Sequence, residues 1–418
     1  MNYSKHILFL KTVFFYTLTA FGGPQAHIGM LQKTFVEKGK YLTHEELLDF
    51  YSFCQLLPGA SSTQLLGCIG YKKGGIFLSI LTLIIWILPA TSIMCFIGLF
   101  LSDTTNNTAQ ITSLLALIKP MTLGFLFFSI WQTKKTALKN TITYYIFFIC
   151  LLVSILFFKT PWVFPMMIVI AGLITNISNK RIPAPKIKPQ SKKISYFPIV
   201  LFFLVFTIAG FLSEKGRQEE WKNRKVYNLF ENFYRFGSIV FGGGDVLLPM
   251  MLDQYVARPT DIKTIQKNPN IIKINKEDLL VGFGIVRAIP GPVFSVGSYT
   301  GTMALKGENK KTQIIGSLMG SFSLFLPGVL LMLFFFPLFQ QYREYVFVHR
   351  AMEGIHAVVV ALMLGAAYYL CSEYALTTLD QLLKDVFVVL ITFSLLNFTK
   401  IPSSLIVLLF LILGFFQS

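Results

Sequence analysis

Apolar and polar positions in this chain are segregated into long blocks. Hydrophobic runs such as 76–100, 314–339 and 405–416 recur from end to end, separated by short polar connections. Many reach or approach the roughly 20 residues that a membrane-spanning helix needs, and about a dozen such runs can be counted. The pattern predicts an all-α polytopic membrane protein with about 13 transmembrane segments.

Two apolar stretches are interrupted in a related way. Residues 55–70 read QLLPGASSTQLLGCIG and residues 287–301 read RAIPGPVFSVGSYTG, each with Pro-Gly in mid-segment (Pro58-Gly59 and Pro290-Gly291). Proline ends a helix and glycine lets the chain turn, so each stretch is read as a broken helix. The restarted helix exposes backbone N–H groups that only buried protein, water or a ligand can satisfy in a bilayer. With the helix dipole, they make Gly59 to Thr63 and Gly291 to Ser295 candidate halves of one anion site.

The breaks belong to a longer duplication. Thr43-His44-Glu45-Glu46-Leu47-Leu48 answers to Asn275-Lys276-Glu277-Asp278-Leu279-Leu280, 232 positions on, and the same step takes Pro58 to Pro290. The match continues through Lys73-Gly74 and Lys306-Gly307, Leu88-Pro89 and Leu326-Pro327, and the terminal helices around Pro161 and Pro402. We therefore divide the chain into a first repeat (1–179), a basic linker with one connecting transmembrane helix (180–228) and a second repeat (229–418). If each copy crosses an even number of times, the connecting helix inverts the second relative to the first. The parity turns on residues 45–71. As one bent crossing they would reach ~40 Å, whereas each arm of a hairpin would reach only ~20 Å. The single crossing, giving six plus one plus six spans, is preferred because it places 134–139, 180–193 and 258–276 inside; it leaves Lys33, Lys38 and Lys40 outside.

Composition agrees: of 418 residues, 54% are hydrophobic and 14% charged. A net charge of +17 would point to nucleic acid in a soluble protein, but here Lys and Arg gather in the connections, as the positive-inside rule requires. The five cysteines are scattered with no Cys-x-x-Cys spacing, so neither metal, cofactor nor disulfide is expected. Lys11 interrupts the first apolar run, which is kept as a membrane helix rather than a signal peptide.

Several residues carry candidate chemistry. Glycines end the first helix of each copy: Gly22 and Gly23, then Gly242, Gly243 and Gly244. They read either as helix stops or as unwound, ligand-facing turns. Arg287 lies within an apolar span, where a cation needs an anionic partner: the transported anion, or Glu277, Asp278 or Asp245. The candidate substrate contacts are Gly22, Gly23, Pro24, Gln25, Gln55, Pro58, Gly59, Ser61, Ser62, Gly242, Gly243, Gly244, Arg287, Pro290, Gly291 and Pro292. Thr63 and Gln64 could also donate. His27, Glu46, Asp49, Asp245 and Glu277 are candidates for proton coupling, with helix capping the competing role for Glu46 and Glu277. Lys119, Glu353 and His356 are secondary polar groups, and Gly297/Gly301 and Gly316/Gly320 have the spacing of helix-packing motifs.

Phe21-Gly22-Gly23-Pro24-x-Ala26-His27 in one half, Phe241-Gly242-Gly243-Gly244-Asp245 in the other, and a Pro-Gly core in each resemble the chromate ion transporter family in its long two-domain form. The first copy has Ala60 where the family's Pro-Gly-Pro has its second proline. The resemblance covers nearly the whole chain. It implies a multi-pass protein of the bacterial inner membrane that exports chromate or another tetrahedral oxyanion, such as sulfate, using the proton motive force, with oppositely oriented halves; a homodimer is compatible with it. An enzyme is not expected: His44-Glu45-Glu46-Leu47-Leu48 lacks the second His of a zinc-protease helix, and there is no Gly-x-Ser-x-Gly elbow. A channel would tolerate neutralisation of the intramembrane charges.

Overall fold

The computed structural model describes residues 3–416 except 22, 104–115, 158–162, 178–194, 242–243, 269–270, 342–345, 375–378 and 400. Every regular element among the described residues is helical. In order they are α1 (Tyr3–Thr19), α2 (Gly23–Leu31), α3 (His44–Gln55), α4 (Ser61–Asp103), α5 (Ile118–Ala137), α6 (Thr141–Leu156), α7 (Val163–Thr175), α8 (Phe197–Gln218), α9 (Arg224–Ile239), α10 (Leu247–Leu252), α11 (Ile262–Lys267), α12 (Lys276–Ile285), α13 (Val296–Met303), α14 (Lys310–Gln341), α15 (Val346–Tyr374), α16 (Leu379–Phe398) and α17 (Ser403–Phe415). π-helical turns follow α2 (Gln32–Lys38) and α10 (Asp253–Ala257).

Five helical segments among the described residues are long and apolar enough to cross a membrane: Ser61–Asp103, Phe197–Gln218, Lys310–Phe339, Glu353–Ser372 and Asp380–Phe398. Shorter apolar helices lie at Thr141–Leu156, Met166–Thr175 and Ser403–Phe415. Large apolar side chains such as Phe77, Phe96, Phe148 and Phe203 are exposed along them, as expected where the solvent is lipid.

The chain forms two compact units, and each draws on both halves of the sequence. One comprises Met1–Leu99, Arg181–Gly244 and Ile289–Tyr345; the other comprises Phe100–Lys180, Asp245–Ala288 and Val346–Ser418.

In the first unit the start of the chain folds back on itself. Phe9 of α1 meets Phe35 and Tyr41 edge-on, and the Lys73 ammonium lies 5.5 Å from the Tyr41 ring. α3 begins with a capping box in which Thr43 and Glu46 satisfy each other's backbone N–H. The residues after the break return along it, so that Lys72 reaches Glu46 at 2.5 Å and the Cys54 and Cys68 sulfurs lie 3.9 Å apart. Stretch 45–71 is therefore a helical hairpin, not the preferred single crossing, because ends separated by ~40 Å could not form an ion pair. The reversal is made at Gly59. Non-helical backbone at Gly74 and Gly75 then divides α4 into the returning arm and a long apolar helix. Further on, Gly297 and Gly301 of α13 press directly on Gly320 and Gly316 of α14, confirming the packing role of that spacing.

The second unit packs α6 and α7 on α15, and α5 on α16 and α12. Small residues again permit close approach: Gly124 of α5 faces Thr392 of α16, Gly284 of α12 faces Ile118 and Thr122 of α5, and Gly354 of α15 meets the Ala171 carbonyl.

Candidate functional site

Both helix breaks lie in the first unit. In the first, Pro58 closes the loop after α3 and Gly59 takes φ +119°, a conformation that side chains rarely adopt. A Cβ at Gly59 would also stand 3.0 Å from Gly328 Cα. The Gly59 N–H donates to the Val240 carbonyl (2.7 Å) at the end of α9. Gln64 donates to the carbonyls of Pro58 (2.8 Å) and Gly328 (3.1 Å), so its amide nitrogen is occupied in holding the loop and is not an oxyanion donor.

The restarted helix begins at Ser61. Its first backbone hydrogen bond is from Gln64 N–H to the Ala60 carbonyl (2.9 Å). The N–H groups of Ser61, Ser62 and Thr63 find no acceptor among the described residues, and neither do the Ser61 and Ser62 hydroxyls. These serines are only 3% and 7% exposed. A buried helix start with three free amides and two free hydroxyls is an electropositive cradle suited to oxyanion oxygens.

The cradle is backed by aromatic packing. Trp86 donates to Thr63 Oγ1 (3.0 Å), stacks on Tyr16 and meets the His27 ring edge-on at 5.3 Å. His27 Nε2 lies 3.3 Å from the Ala20 carbonyl, and its buried Nδ1 has no hydrogen-bond partner among the described residues.

That Ala20 carbonyl, at the end of α1, accepts the Gly291 N–H at 2.9 Å. Gly291 takes φ +123° and its missing Cβ would lie 2.8 Å from Ala90 Cβ. Each break thus reaches into the opposite half of the sequence for its acceptor and its packing partner. After Gly291 a short 3-10 turn, Val293–Ser295, leads into α13. Ser295 Oγ and Thr300 Oγ1 are buried without hydrogen-bond partners among the described residues.

The other expected residues are dispersed. Gly22, Gly242 and Gly243 lie outside the described residues, as do the side chains of Pro24, Gln25 and Asp245. Gly23 opens α2, and Gly244 packs against Val293 beside the second break. Gln55 ends α3, half-buried; Pro290 and Pro292 flank Gly291, and Pro292 precedes the 3-10 turn as its N-cap. Glu46 occupies the third position of the capping box and pairs with Lys72. Burial would raise its carboxyl, but hydrogen bonds from Lys72 and Thr43, with the Lys72 charge, hold it below the ordinary range. Asp49 is half-buried on α3.

Arg287 belongs to the second unit, in a 3-10 turn, Val286–Ala288. Its guanidinium lies 4.5 Å from the Phe125 ring centroid and its carbonyl accepts from Ser403. Of the carboxylates expected near it, Glu277 is engaged by Lys119 at 2.9 Å.

Sequence reasoning missed one buried polar group. Asp253–Ala257 forms a π-helical turn, and Arg258, which opens the 3-10 turn after it, bonds back to Asp253 and to Gln254 (2.6 Å), all three buried. The legible signal was opposite charges five residues apart, the repeat of a π-helix.

Paired helix breaks in an apolar chain, whose regular elements among the described residues are all helical, are an arrangement found in multi-pass membrane transporters. The chain belongs to the chromate transporter family, whose model matches residues 7–176 and 227–415. It is similar to an uncharacterized transporter of Methanocaldococcus jannaschii, 23% identical over 95% of this chain and 91% of that one. It is also similar to a chromate transport protein of Cupriavidus metallidurans, 21% identical over 93% of this chain and 87% of the relative. No solved structure matches at a significant level.

Proposed function

We propose that this chain is a secondary transporter that exports a tetrahedral oxyanion, chromate, across the cell membrane at the expense of the proton motive force. One observation carries the reading: the buried start of α4, where three backbone N–H groups and the hydroxyls of Ser61 and Ser62 have no partner among the described residues. An oxyanion supplies acceptors to all five without a cation that would have to be desolvated between turnovers. His27 is a proton-linked candidate because its ring touches Trp86, the cradle's backing, and shares the Ala20 carbonyl with Gly291. The family match and the name of the Cupriavidus relative support chromate as cargo.

The same reading keeps the two repeats, 1–179 and 229–418, in opposite orientation. The family model's two matched stretches and the reciprocal bonds Gly59 to Val240 and Gly291 to Ala20 support a two-fold relation between them. The hairpin at 44–73 adds no net crossing, and the α2 segment returns to the start of α1. Lys33, Lys38, Lys40, Lys72 and Lys73 then join the basic connections 134–139 and 180–193 on one side, as the positive-inside rule favours for this half.

The test is radiolabelled chromate uptake into inverted vesicles, with and without a proton gradient and with excess sulfate. Gradient-dependent uptake is expected. Replacing both Ser61 and Ser62 by Ala should reduce uptake by about 100-fold or more, two charge-assisted hydrogen bonds of ~1.5–3 kcal/mol each being lost, with membrane insertion unchanged. Sulfate transport without chromate transport would keep the cradle and change the cargo. Full activity of the double variant would remove these serines from the site.

A further inference from the structure

The second unit holds a cavity of about 320 Å³ between α5, α6, α15 and α16, whereas the helix breaks belong to the first unit. Its walls are apolar and mostly aromatic, including Trp131, Tyr144, Phe148, Leu364 and Phe393, and Lys134 borders it. The volume lies at the low end of the ~300–1,000 Å³ typical of small-molecule sites. Trp131, Tyr144 and Phe148 are 43%, 41% and 61% exposed, so the cavity opens at the protein surface.

The charges at its edge are what select an occupant. The Lys135 and Lys134 ammonium groups lie 5.1 Å and 5.9 Å from the centroid of the same Trp131 ring. Both sit in the last turn of α5, where the carbonyl end of the helix favours cations. Neither pairs with a carboxylate among the described residues. Two like charges held over one indole, at the mouth of an apolar groove, form a site that is complete only with an anion carrying a hydrocarbon tail. A free phosphate would satisfy the lysines and leave the groove empty. A zwitterionic lipid would fill the groove but place its own cation beside them.

We infer that this cavity binds an anionic glycerophospholipid, one acyl chain lying along Trp131, Phe148 and Phe393 and the headgroup phosphate meeting Lys134 and Lys135. The inference needs only that the chain spans a membrane, and it is independent of the cargo.

The full-length protein, purified in detergent, would be titrated with phosphatidylglycerol, phosphatidylcholine of the same acyl chains, and inorganic phosphate, with retained lipid read by native mass spectrometry. Phosphatidylglycerol should be retained at least about tenfold more tightly than phosphatidylcholine, and phosphate should not compete at equimolar concentration. The variant K134Q/K135Q should lose that preference, while K222Q, a lysine remote in sequence, should keep it. Trp131→Leu should weaken both lipids, since the groove wall and the cation platform go together. Equal retention of the two lipids by the native protein would overturn the assignment without recourse to any variant. An unchanged preference in K134Q/K135Q would equally overturn it.

Discussion

Gly59 and Gly291 turn the chain with almost the same torsion, +119° and +123°, and each gives its N–H to the last carbonyls of the opposite half's first helix. Around this shared backbone the side chains diverge. The first break is followed by Ser61, Ser62, Thr63 and Gln64, the second by Val293, Phe294, Ser295 and Val296. Gln64 ties the first loop to Gly328, and the residue 232 positions later, Val296, has no group able to do so. The π-helical turns differ in the same manner. Gln32–Lys38 carries exposed Lys33 and Lys38, whereas Asp253–Ala257 and Arg258 bury an ion pair. The two stretches break at the same places and carry different polar groups there.

The largest effect should come from the π-helical turns. Removing one member of a buried pair strands the other, at a cost of ~3–5 kcal/mol. Asp253→Asn or Arg258→Gln should therefore lower the unfolding temperature of the solubilised protein sharply, and Lys33→Gln or Lys38→Gln should leave it within the ~0.5 kcal/mol usual for exposed sites. Equal, small effects in both turns would show that the buried pair is not what distinguishes them.

Next come the shared glycines. Gly59→Ala and Gly291→Ala each place a Cβ against a close neighbour and force an unfavourable torsion, a strain of ~1–3 kcal/mol before any clash is relieved. The two losses in thermal stability should be alike, because the geometry is alike. A tolerated change at one position alone would mean that its loop relaxes and the likeness is superficial.

These comparisons also locate what the sequence could tell. The breaks and the glycine packing between α13 and α14 were legible because proline, glycine and small-residue spacing act on the backbone locally. The hairpin was not, since the choice between crossing and returning depends on Glu46 meeting Lys72, a contact between helix ends that no periodicity encodes. Gln64 looked like an anion donor on composition and proved to be a brace, because the acceptor that claims it, Gly328, is 264 residues away. Asp253 and Arg258 were read as part of a polar connection, and their pairing within a buried turn was not.

The brace itself gives a third prediction. Gln64→Leu preserves volume but leaves two buried carbonyls without their donor, for a cost of ~1–3 kcal/mol. Because Val296 braces nothing, Val296→Leu should change stability far less, and equal losses at the two positions would reduce Gln64 to a packing residue.

The smallest expected effect concerns the hairpin's closing ion pair, Glu46 with Lys72, both about one-third exposed. Glu46→Gln retains the capping-box geometry, since Gln can also accept from the Thr43 N–H, and removes only the charge. At neutral pH it should cost no more than about 1 kcal/mol, the usual worth of a solvent-screened pair. The sign of its pH dependence is fixed by the lowered carboxyl of the folded state. Such a group stabilises the fold above its unfolded value and loses that contribution as pH falls through the folded one. The difference in melting temperature between the native chain and Glu46→Gln should therefore be present at pH 7 and shrink toward zero below about pH 4. A difference that persisted in acid would assign the effect to the cap, and the two arms of the hairpin would then owe their closure to the packing of Leu47, Phe50, Leu65 and Ile69 alone.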